Sequence, residues 1–358
     1  MPIQDAAMPA ARFRHIRELL WADVTAGIYG DQLPPEPQLA TRYAVSRMTL
    51  RRAIASLAGD GLLVAQQGRG TFINRNGQPT SRSSTVALVL ENHVLEGRTD
   101  PYFGVLITAL ASRLARSGNS ILLLNASDEA LKPENKRDAL CGVIAMAFDR
   151  DSVWSLGASR LPLVLLDSAP LPERTCILGE NREGIVLGLH HLTGLGHRRI
   201  AHIAGAPATV TGQERLHAWR AGMANLGLSA PDFLAPSGDF TVESGAKAMA
   251  ALLAAPGGRP TAVLCGNDRM ALGALRVIRE KGLSVPNDIS LIGFDDIEAS
   301  ELADPPLTTI TVPRAELAAA ACKALLAEIA DPSLPRGQTI RLPVSLTVRA
   351  SSAAPGKA

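Results

Sequence analysis

Arg47 and Arg51 stand four residues apart, so on a helix they share one face and lie one turn from each other. Guanidinium groups form paired hydrogen bonds with a phosphate or with the edge of a guanine in the major groove. Leu50, Ile54 and Leu57 recur at helical spacing in the same segment, which predicts an amphipathic helix. An ordinary surface helix with a solvated arginine face has the same pattern, so this helix alone leaves both interpretations open.

The sequence on either side of this helix favours DNA binding. Pro37 suits the first turn of a preceding helix, and Ser46 can cap the start of the arginine-bearing helix. Beyond it, Leu62–Val64 and Thr71–Ile73 are predicted to form two short strands, joined by a turn that would hold Arg69 out towards a minor groove. We therefore predict a winged helix-turn-helix.

Polar residues that could bind a small molecule follow three apolar runs in the rest of the chain. They are Asp167, the pair Asn267-Asp268 and the pair Asp295-Asp296. Carboxylates and amides in a cleft shielded from water hold ligand hydroxyls by hydrogen bonds, while aromatic faces pack on the apolar side of a ligand. A single acid at a strand end is more often a helix N-cap, but several from separate strands favour a binding cleft.

Those runs belong to a repeated strand and helix pattern. The predicted strands are Val86–Leu90, Ser120–Leu124, Gly142–Met146, Leu163–Asp167, Arg199–Ala204, Ala262–Cys265 and Ser290–Phe294. Amphipathic helices such as Tyr102–Ser117 and Ala271–Lys281 lie between them, which predicts an α/β fold of parallel sheets covered by helices. The stretch is long for one sheet, so we expect two similar lobes with a ligand cleft between them, at the carboxyl ends of the strands.

Composition suggests a boundary near residue 77. We predict a DNA-binding domain at residues 8–76, a linker rich in glycine, proline and serine at 77–84, a ligand-binding and dimerisation domain at 85–350 and a disordered tail at 351–358. Residues 1–76 carry nine arginines and six acids, a balance of +3, whereas the rest of the chain balances at −1. Without a signal-peptide pattern or a membrane-length apolar run, we expect a cytoplasmic protein whose four scattered cysteines are reduced.

Motifs of catalysis and metal binding are weak in this sequence. The turn Gln67–Gly70 lacks the third glycine and the following helix of a dinucleotide loop, and no Gly-x-Ser-x-Gly elbow occurs. His190, His191 and His197 have no acid or cysteine at ligand spacing. We expect a protein that is not an enzyme and that needs no cofactor or metal.

The first domain resembles the GntR-type winged helix-turn-helix at Leu33-Pro34, Glu36, Leu39-Ala40, Tyr43, Val45-Ser46-Arg47, Thr49, Arg51, Ala53, Leu57, Gly61-Leu62 and Gly68-Arg69-Gly70-Thr71-Phe72. The resemblance implies DNA contacts from Ser46, Arg47, Met48, Thr49, Arg51, Arg52, Gly68, Arg69 and Gly70. One departure is Glu36-Pro37-Gln38, where the family usually has Glu-Arg-Glu. A DNA-contacting arginine is therefore missing, and the operator need not follow the family's commonest sites.

The second domain resembles the LacI-family effector domain at Asp100-Pro101-Tyr102-Phe103, Leu195–Ile200, Glu214-Arg215-Leu216, Asn267–Gly273, Gly293–Asp296 and Pro305–Ile310. That family's fold is similar to periplasmic sugar-binding proteins, and its own DNA headpiece and hinge helix are absent here. The resemblance implies effector contacts from Tyr102, Phe103, Asp167, Asn181, Arg215, Phe240, Asn267 and Asp295. Trp219 either borders this site or packs in the core, and Ser168 and Val312 replace an arginine and a glutamine of common sugar-binding members.

A GntR-like domain joined to a LacI-like sensor is an arabinose-repressor-like arrangement. It implies a homodimeric repressor of transcription that binds double-stranded, roughly palindromic operator DNA. A small molecule, most simply a sugar or sugar derivative, would close the lobes and change the operator affinity. Two alternatives stay open, which are co-repression by a nucleobase and a ligand-independent dimer with a degenerate sensor. A transport-type solute binder is opposed by the fused DNA-binding domain.

Overall fold

A computed structural model describes residues 9–59, 62–66, 69–74, 84–90, 100–125, 140–149 and 161–356. Contacts divide the chain into two units, Met1–Ser84 and Thr85–Ala358. Most of the linker predicted at 77–84 lies outside the described residues. In the described part of the chain, no helix is long and apolar enough to cross a membrane.

The first unit is the predicted winged helix-turn-helix. Its elements are α1 (Pro9–Thr25), α2 (Glu36–Arg42), α3 (Arg47–Gly59), β1 (Leu63–Gln66) and β2 (Gly70–Ile73). The strands pair antiparallel with Val64 opposite Phe72, and a bridge from Gln32 to Phe72 extends the small sheet. Leu20, Leu39 and Leu57 are fully buried where the three helices meet, so the apolar stripe on α3 packs inward and leaves its arginines outside.

The second unit begins with a lobe built on a parallel six-stranded sheet. In spatial order its strands are β12 (Thr339–Leu342), β7 (Thr175–Gly179), β6 (Leu163–Leu166), β5 (Gly142–Met146), β3 (Thr85–Leu90) and β4 (Ser120–Asn125). The helices α4 (Pro101–Arg116) and α10 (Arg314–Ala330) pack together on this lobe. The central strands are buried on both faces, as the continuous apolar runs predict.

The second lobe carries a five-stranded sheet. Its spatial order is β13 (Ser345–Thr347), β11 (Thr308–Thr311), β10 (Ser290–Asp295), β9 (Ala262–Cys265) and β8 (Ile200–Ile203). All pairs are parallel except β11 with β13. Its helices are α5 (Asn181–Gly194), α6 (Val210–Asn225), α7 (Val242–Leu253), α8 (Asp268–Glu280) and α9 (Glu298–Leu302). The two-lobed α/β architecture is as predicted, although β7, β11, β12 and β13 were missed.

The chain passes between the lobes at three places that lie side by side. They are the junctions from β7 to α5, from β11 to α10 and from β12 to β13. The amide of Glu180 donates to the carbonyl oxygen of Leu342 at 2.9 Å, which ties the first junction to the third. A Cβ placed on Gly179 would touch side-chain atoms of Val312 and Val344, so all three junctions pack together. Val312 is therefore buried at the hinge.

The predicted disordered tail is wrong for residues 351–356. Ser351 is buried, and its hydroxyl donates to the carbonyl oxygen of Leu291 at 2.6 Å. Nε2 of buried His197 bonds the carbonyl oxygen of Ala353 at 2.8 Å, and Nδ1 of His197 lies 3.0 Å from the hydroxyl of Thr261. A short polar tail that looks free in the sequence is thus held by hydrogen bonds to the second lobe.

Candidate functional site

The N-terminal end of α3 presents the side chains predicted to bind DNA. The hydroxyl of Ser46 accepts a hydrogen bond from the Thr49 amide at 3.2 Å and caps the helix as predicted. Arg47, Arg52 and Met48 are exposed, and Met48 reaches 71% exposure although it is apolar. A side chain of this kind at the start of a helix is suited to apolar contact with a base edge in the major groove.

Arg51 is held by a carboxylate from the neighbouring helix. Its Nε donates to Oε2 of Glu36, at the first residue of α2, at 2.7 Å. Both terminal nitrogens of the guanidinium therefore stay available for a phosphate or a guanine. The sequence predicted Arg51 as a contact, but the bond to Glu36 was not anticipated.

The wing turn is shaped by glycine. Gly70 has φ +109°, a conformation that favours glycine, and a Cβ there would overlap the amide nitrogen of Gln32. The same amide of Gln32 donates to the carbonyl oxygen of Arg69 at 2.7 Å, so the turn is fastened to the chain before α2. Arg69 is exposed there. Gly68, also predicted to contact DNA, lies outside the described residues.

A cavity of about 490 Å³ lies between the two lobes of the second unit. It is bordered by the carboxyl ends of β5, β6, β9 and β10 and by the first turns of α4 and α6. Its described lining residues are Asp100, Tyr102, Phe103, Ala147, Phe148, Asp167, Thr209, Val210, Thr211, Arg215, Asp239, Phe240, Thr241, Glu243, Asn267, Arg269 and Asp295. The volume and the mixture of aromatic and polar groups are typical of a small-molecule site.

Backbone strain is concentrated around this cavity. Four lining residues other than glycine have a positive φ: Ala147 at +66°, Asp167 at +48°, Phe240 at +66° and Asp295 at +108°. Such conformations persist only where the surrounding structure enforces them, and they cluster at binding sites. Ala147, Asp167 and Asp295 lie at the carboxyl ends of β5, β6 and β10, and Phe240 lies in the turn before α7.

Arg215, in α6, is the central cation of the site. Its Nε donates to Oδ1 of Asn181 at 2.9 Å, and Nη1 bonds the carbonyl oxygen of Gly266 and lies 3.6 Å from Oδ1 of Asp295. The guanidinium also stacks on the ring of Phe294, with its carbon 3.5 Å from the ring centroid. Burial raises the pKa of Asp295 well above the ordinary value, although the charge of Arg215 opposes the shift.

Asp167 faces Arg215 from the first lobe. Its Oδ2 accepts a hydrogen bond from the hydroxyl of Tyr102, whose ring stands edge-on to Phe103 with centroids 5.3 Å apart. Burial raises the pKa of Asp167, and the bond from Tyr102 and the charge of Arg215 only partly offset that rise. Oxygen acceptors and aromatic rings therefore line the same wall of the cavity.

Asn267 and Phe240 are joined at the opposite wall. Oδ1 of Asn267 accepts from the Met270 amide at 2.9 Å and caps α8, while its Nδ2 donates to the carbonyl oxygen of Phe240 at 3.1 Å. The structure thus brings seven of the eight predicted effector residues to the cavity: Tyr102, Phe103, Asp167, Arg215, Phe240, Asn267 and Asp295.

Asn181 is the predicted residue that the structure places elsewhere. It is buried behind Arg215, and its Nδ2 donates to Oε2 of Glu214 at 2.9 Å. Because both ends of its amide are already bonded within the protein, it positions Arg215 and does not line the cavity. Trp219 is also fully buried, stacked on His202 with centroids 5.9 Å apart, so it belongs to the core.

Two further positions singled out in the sequence have structural roles. The hydroxyl of Ser168 accepts from the Phe148 amide at 3.1 Å and bonds the carbonyl oxygen of Leu166 at 3.0 Å, so it shapes the turn that carries Phe148 to the cavity. Asp268 is buried in the second lobe, where it accepts from the Ile297 amide at 2.9 Å. Burial raises the pKa of Asp268 to about 6, against hydrogen bonds that favour its charged form.

Sequence reasoning missed an ion pair at the cavity. Nη1 of Arg269, on α8, donates to Oδ2 of Asp100 at 2.9 Å, and Asp100 also caps α4 by accepting from the Tyr102 amide at 3.0 Å. Both residues lie in motifs that resemble the LacI family, but no local sequence pattern links two positions that are 169 residues apart. Asp239 and Glu243 were likewise unassigned, although they border the turn around Phe240.

Comparisons with known proteins assign both units. Residues 13–73 match the family model for bacterial regulatory proteins of the gntR family, and residues 189–352 match that for a periplasmic binding protein-like domain. The HTH-type transcriptional repressor PurR of Mannheimia succiniciproducens is 34% identical over 262 residues, 70% of this chain and 77% of PurR. The ribose operon repressor of Escherichia coli K12 is 31% identical over 268 residues, 72% of this chain and 81% of the repressor.

Solved structures agree with the sequence relatives. A complex of the transcriptional regulator CelR with cellobiose has a TM-score of 0.69 and 28% identity, over 92% of this chain and 94% of CelR. A dimeric Lac repressor has a TM-score of 0.66 and 28% identity, over 76% of this chain and 100% of that chain. The fold and the two units define a transcriptional regulator with an effector-binding domain. The chain belongs to the LacI/PurR family of repressors and carries a GntR-type helix-turn-helix as its DNA-binding domain.

Proposed function

We propose that the cavity between the lobes binds a sugar or sugar derivative that controls the affinity of the repressor for its operator. The observation that supports this most directly is the cavity itself, about 490 Å³ in volume and lined by aromatic rings beside paired polar groups. Asp167 and Asp295 offer acceptors for ligand hydroxyls, Arg215 offers donors, and Tyr102 and Phe240 offer apolar surface. Two similar proteins point the same way, since CelR forms a complex with cellobiose and another relative is a ribose operon repressor.

We assign the DNA contacts to Ser46, Arg47, Met48, Thr49, Arg51 and Arg52 on α3 and to Arg69 and Gly70 on the wing, with Gly68 beside them. The first domain has only a modest positive balance, so one copy would bind weakly at physiological salt. A homodimer in the cytoplasm, reading two half-sites, supplies the missing affinity. The similarity to a dimeric Lac repressor supports this assembly.

Effector control follows from the hinge. Three packed junctions allow the lobes to close on a ligand, and closure alters how two copies present their DNA-binding domains. The coupling is reciprocal, so an effector that weakens operator binding is itself bound more weakly by the operator complex.

The decisive experiment is a thermal-shift screen against sugars, sugar derivatives and nucleobases, followed by operator binding at fixed salt with each hit. A sugar that raises the melting temperature and weakens operator binding is the expected result. A nucleobase that tightens operator binding would replace sugar induction with co-repression. A cavity that binds nothing while the dimer still binds its operator would make the domain a degenerate sensor and refute the proposal.

The variant Arg215→Lys tests whether the effector binds in this cavity. Lysine keeps the charge but loses the planar fork that bonds Asn181 and Gly266 and stacks on Phe294. We expect the thermal response to the effector to fall sharply while operator affinity without effector stays unchanged. An unchanged thermal response would place the effector elsewhere.

A further inference from the structure

The charges that line the cavity are strongly unbalanced. Its described lining includes five carboxylates, on Asp100, Asp167, Asp239, Glu243 and Asp295. The described lining also includes two basic side chains, those of Arg215 and Arg269. A ligand entering this space therefore meets more acidic than basic side chains.

Both of these arginines already face a carboxylate. Arg215 lies 3.6 Å from Asp295, and Arg269 donates to Asp100 at 2.9 Å. The side chains of Arg269 and Asp100 are only 18% and 14% exposed, so water screens this pair weakly. A phosphate or carboxylate on a ligand would have to compete with Asp100 for Arg269 and would lie close to the remaining acids.

Asp100 is well placed to hold Arg269 in this arrangement of the lobes. One of its oxygens caps α4 through the Tyr102 amide, which fixes the carboxylate on the first lobe, and the other oxygen receives Arg269 from the second lobe. Burial raises the pKa of Asp167 and of Asp295 because it disfavours the charged form of each carboxyl, and nearby acids add to the rise.

We propose that Asp100 determines the specificity of the site by keeping Arg269 from anionic ligands, so that the effector is a neutral or amine-bearing polyol and not a sugar phosphate or sugar acid. This inference rests on the proposed function of the cavity. Hydroxyl and ammonium groups can donate to the acidic side chains that line the cavity. Phosphates and carboxylates are acceptors that favour a guanidinium, but Arg269 is paired with Asp100 and Arg215 lies beside Asp295.

Asp100→Asn tests the role of Asp100 directly. Asparagine caps a helix as well as aspartate does, so α4 keeps its start, but the neutral amide no longer balances Arg269. With inorganic phosphate as the probe, calorimetry should show affinity about ten-fold higher in Asp100→Asn than in the wild type, because a charged hydrogen bond is gained. The double variant Asp100→Asn/Arg269→Gln should lose that gain.

A matched control removes an ion pair outside the cavity. Asp232 is 90% exposed and pairs with Arg220 on the outer surface of the second lobe at 2.9 Å. Asp232→Asn should leave phosphate binding at the wild-type level. Equal phosphate affinity in folded Asp100→Asn and in the wild type would overturn the assignment, and so would a gain that survives the loss of Arg269.

A set of ligands with one shared ring tests the effector class in the wild-type protein. D-glucose, D-glucosamine, D-gluconate and D-glucose 6-phosphate, with matched sets on other sugars, should raise the melting temperature only when the compound is neutral or carries an amine. The neutral and amine members of each set show which of the two is preferred. A phosphate or acid as the strongest ligand would overturn this inference but leave the sensor function standing. If no compound of any charge binds, the proposed function itself fails, while the phosphate test on Asp100→Asn is still read independently.

Discussion

Glu214→Gln should weaken the effector-binding domain by breaking an ion pair that joins the two lobes. Glu214 lies on α6 of the second lobe, and Arg341 lies on β12 of the first. Two nitrogens of Arg341 donate to the two oxygens of Glu214 at 2.5 and 3.1 Å, and Nδ2 of Asn181 donates to Oε2 at 2.9 Å. Glutamine has nearly the same shape but brings an amide donor against the donors of Arg341.

The size of the effect follows from the burial of the pair. Exposed ion pairs contribute about 0.2–1 kcal/mol, whereas breaking a buried pair costs about 3–5 kcal/mol. The side chains of Glu214 and Arg341 are 20% and 28% exposed, which places this pair between those limits. We therefore expect the free energy of unfolding to fall by about 2 kcal/mol at pH 7, in urea titrations of the whole protein followed by circular dichroism.

The pH dependence supplies a second signature. Burial opposes ionisation of Glu214, but the hydrogen bonds from Arg341 and Asn181 outweigh it and lower the pKa below the ordinary glutamate value of 4.5. A carboxylate whose pKa is lowered by folding contributes its full stabilisation at pH values above its unfolded-state pKa. This contribution is lost as the pH falls through its folded-state pKa. The difference between wild type and Glu214→Gln should therefore be constant near neutrality and shrink below about pH 4.5.

Two comparisons make this prediction refutable. Asp232→Asn, which breaks the exposed pair with Arg220, should change the free energy of unfolding by less than about 1 kcal/mol. Glu214→Gln and Arg341→Gln combined should cost less than the sum of the two single changes, because the residues are in direct contact. Wild-type stability of Glu214→Gln at pH 7, or a deficit that persists unchanged in acid, would refute the reasoning.

Three other predictions concern the DNA-binding helix and the second lobe. Arg47→Ala should weaken operator binding and reduce its salt dependence, without changing the thermal response to effector. Ser46→Ala should lower the stability of the first domain by about 0.5–2 kcal/mol, measured by chemical denaturation, through loss of the α3 cap. Gly273→Ala should cost about 1–3 kcal/mol in urea titrations, because a Cβ there would overlap the carbonyl oxygen of Val242. Gly194→Ala, which meets nothing within 4 Å, is its control and should not destabilise.

Local sequence patterns were sufficient for much of the fold. The cap at Ser46, the apolar stripe of α3 and the glycine turn before β2 depend on neighbours within a few residues, so their signals survive without tertiary context. The long apolar runs that became β3 and β5 were equally clear. The strands β7, β11, β12 and β13 were missed because they are short, and short strands are selected by the partners they pair with.

Local sequence patterns predicted only part of the cavity. Polar residues at strand ends, with the family resemblance, identified Asp167, Arg215 and Asp295, because parallel strands bring their carboxyl ends to one edge. Only the structure could show that Asn181 lies outside the cavity lining. The side-chain amide of Asn181 is bonded at both ends, to Arg215 and to Glu214, and these contacts exist only in the folded protein.

By itself, the sequence determined a GntR-type DNA-binding domain followed by a two-lobed α/β sensor, because caps, periodicity and turns are short-range effects. Only the tertiary structure decided which charged residues of the effector-binding domain pair with each other and which contacts join its two lobes. The pair of Asp100 with Arg269 and the pair of Glu214 with Arg341 link residues more than a hundred positions apart on different lobes. Such contacts leave no local signal, because the free energy of a long-range ion pair depends on distance and burial, which exist only after the chain has folded.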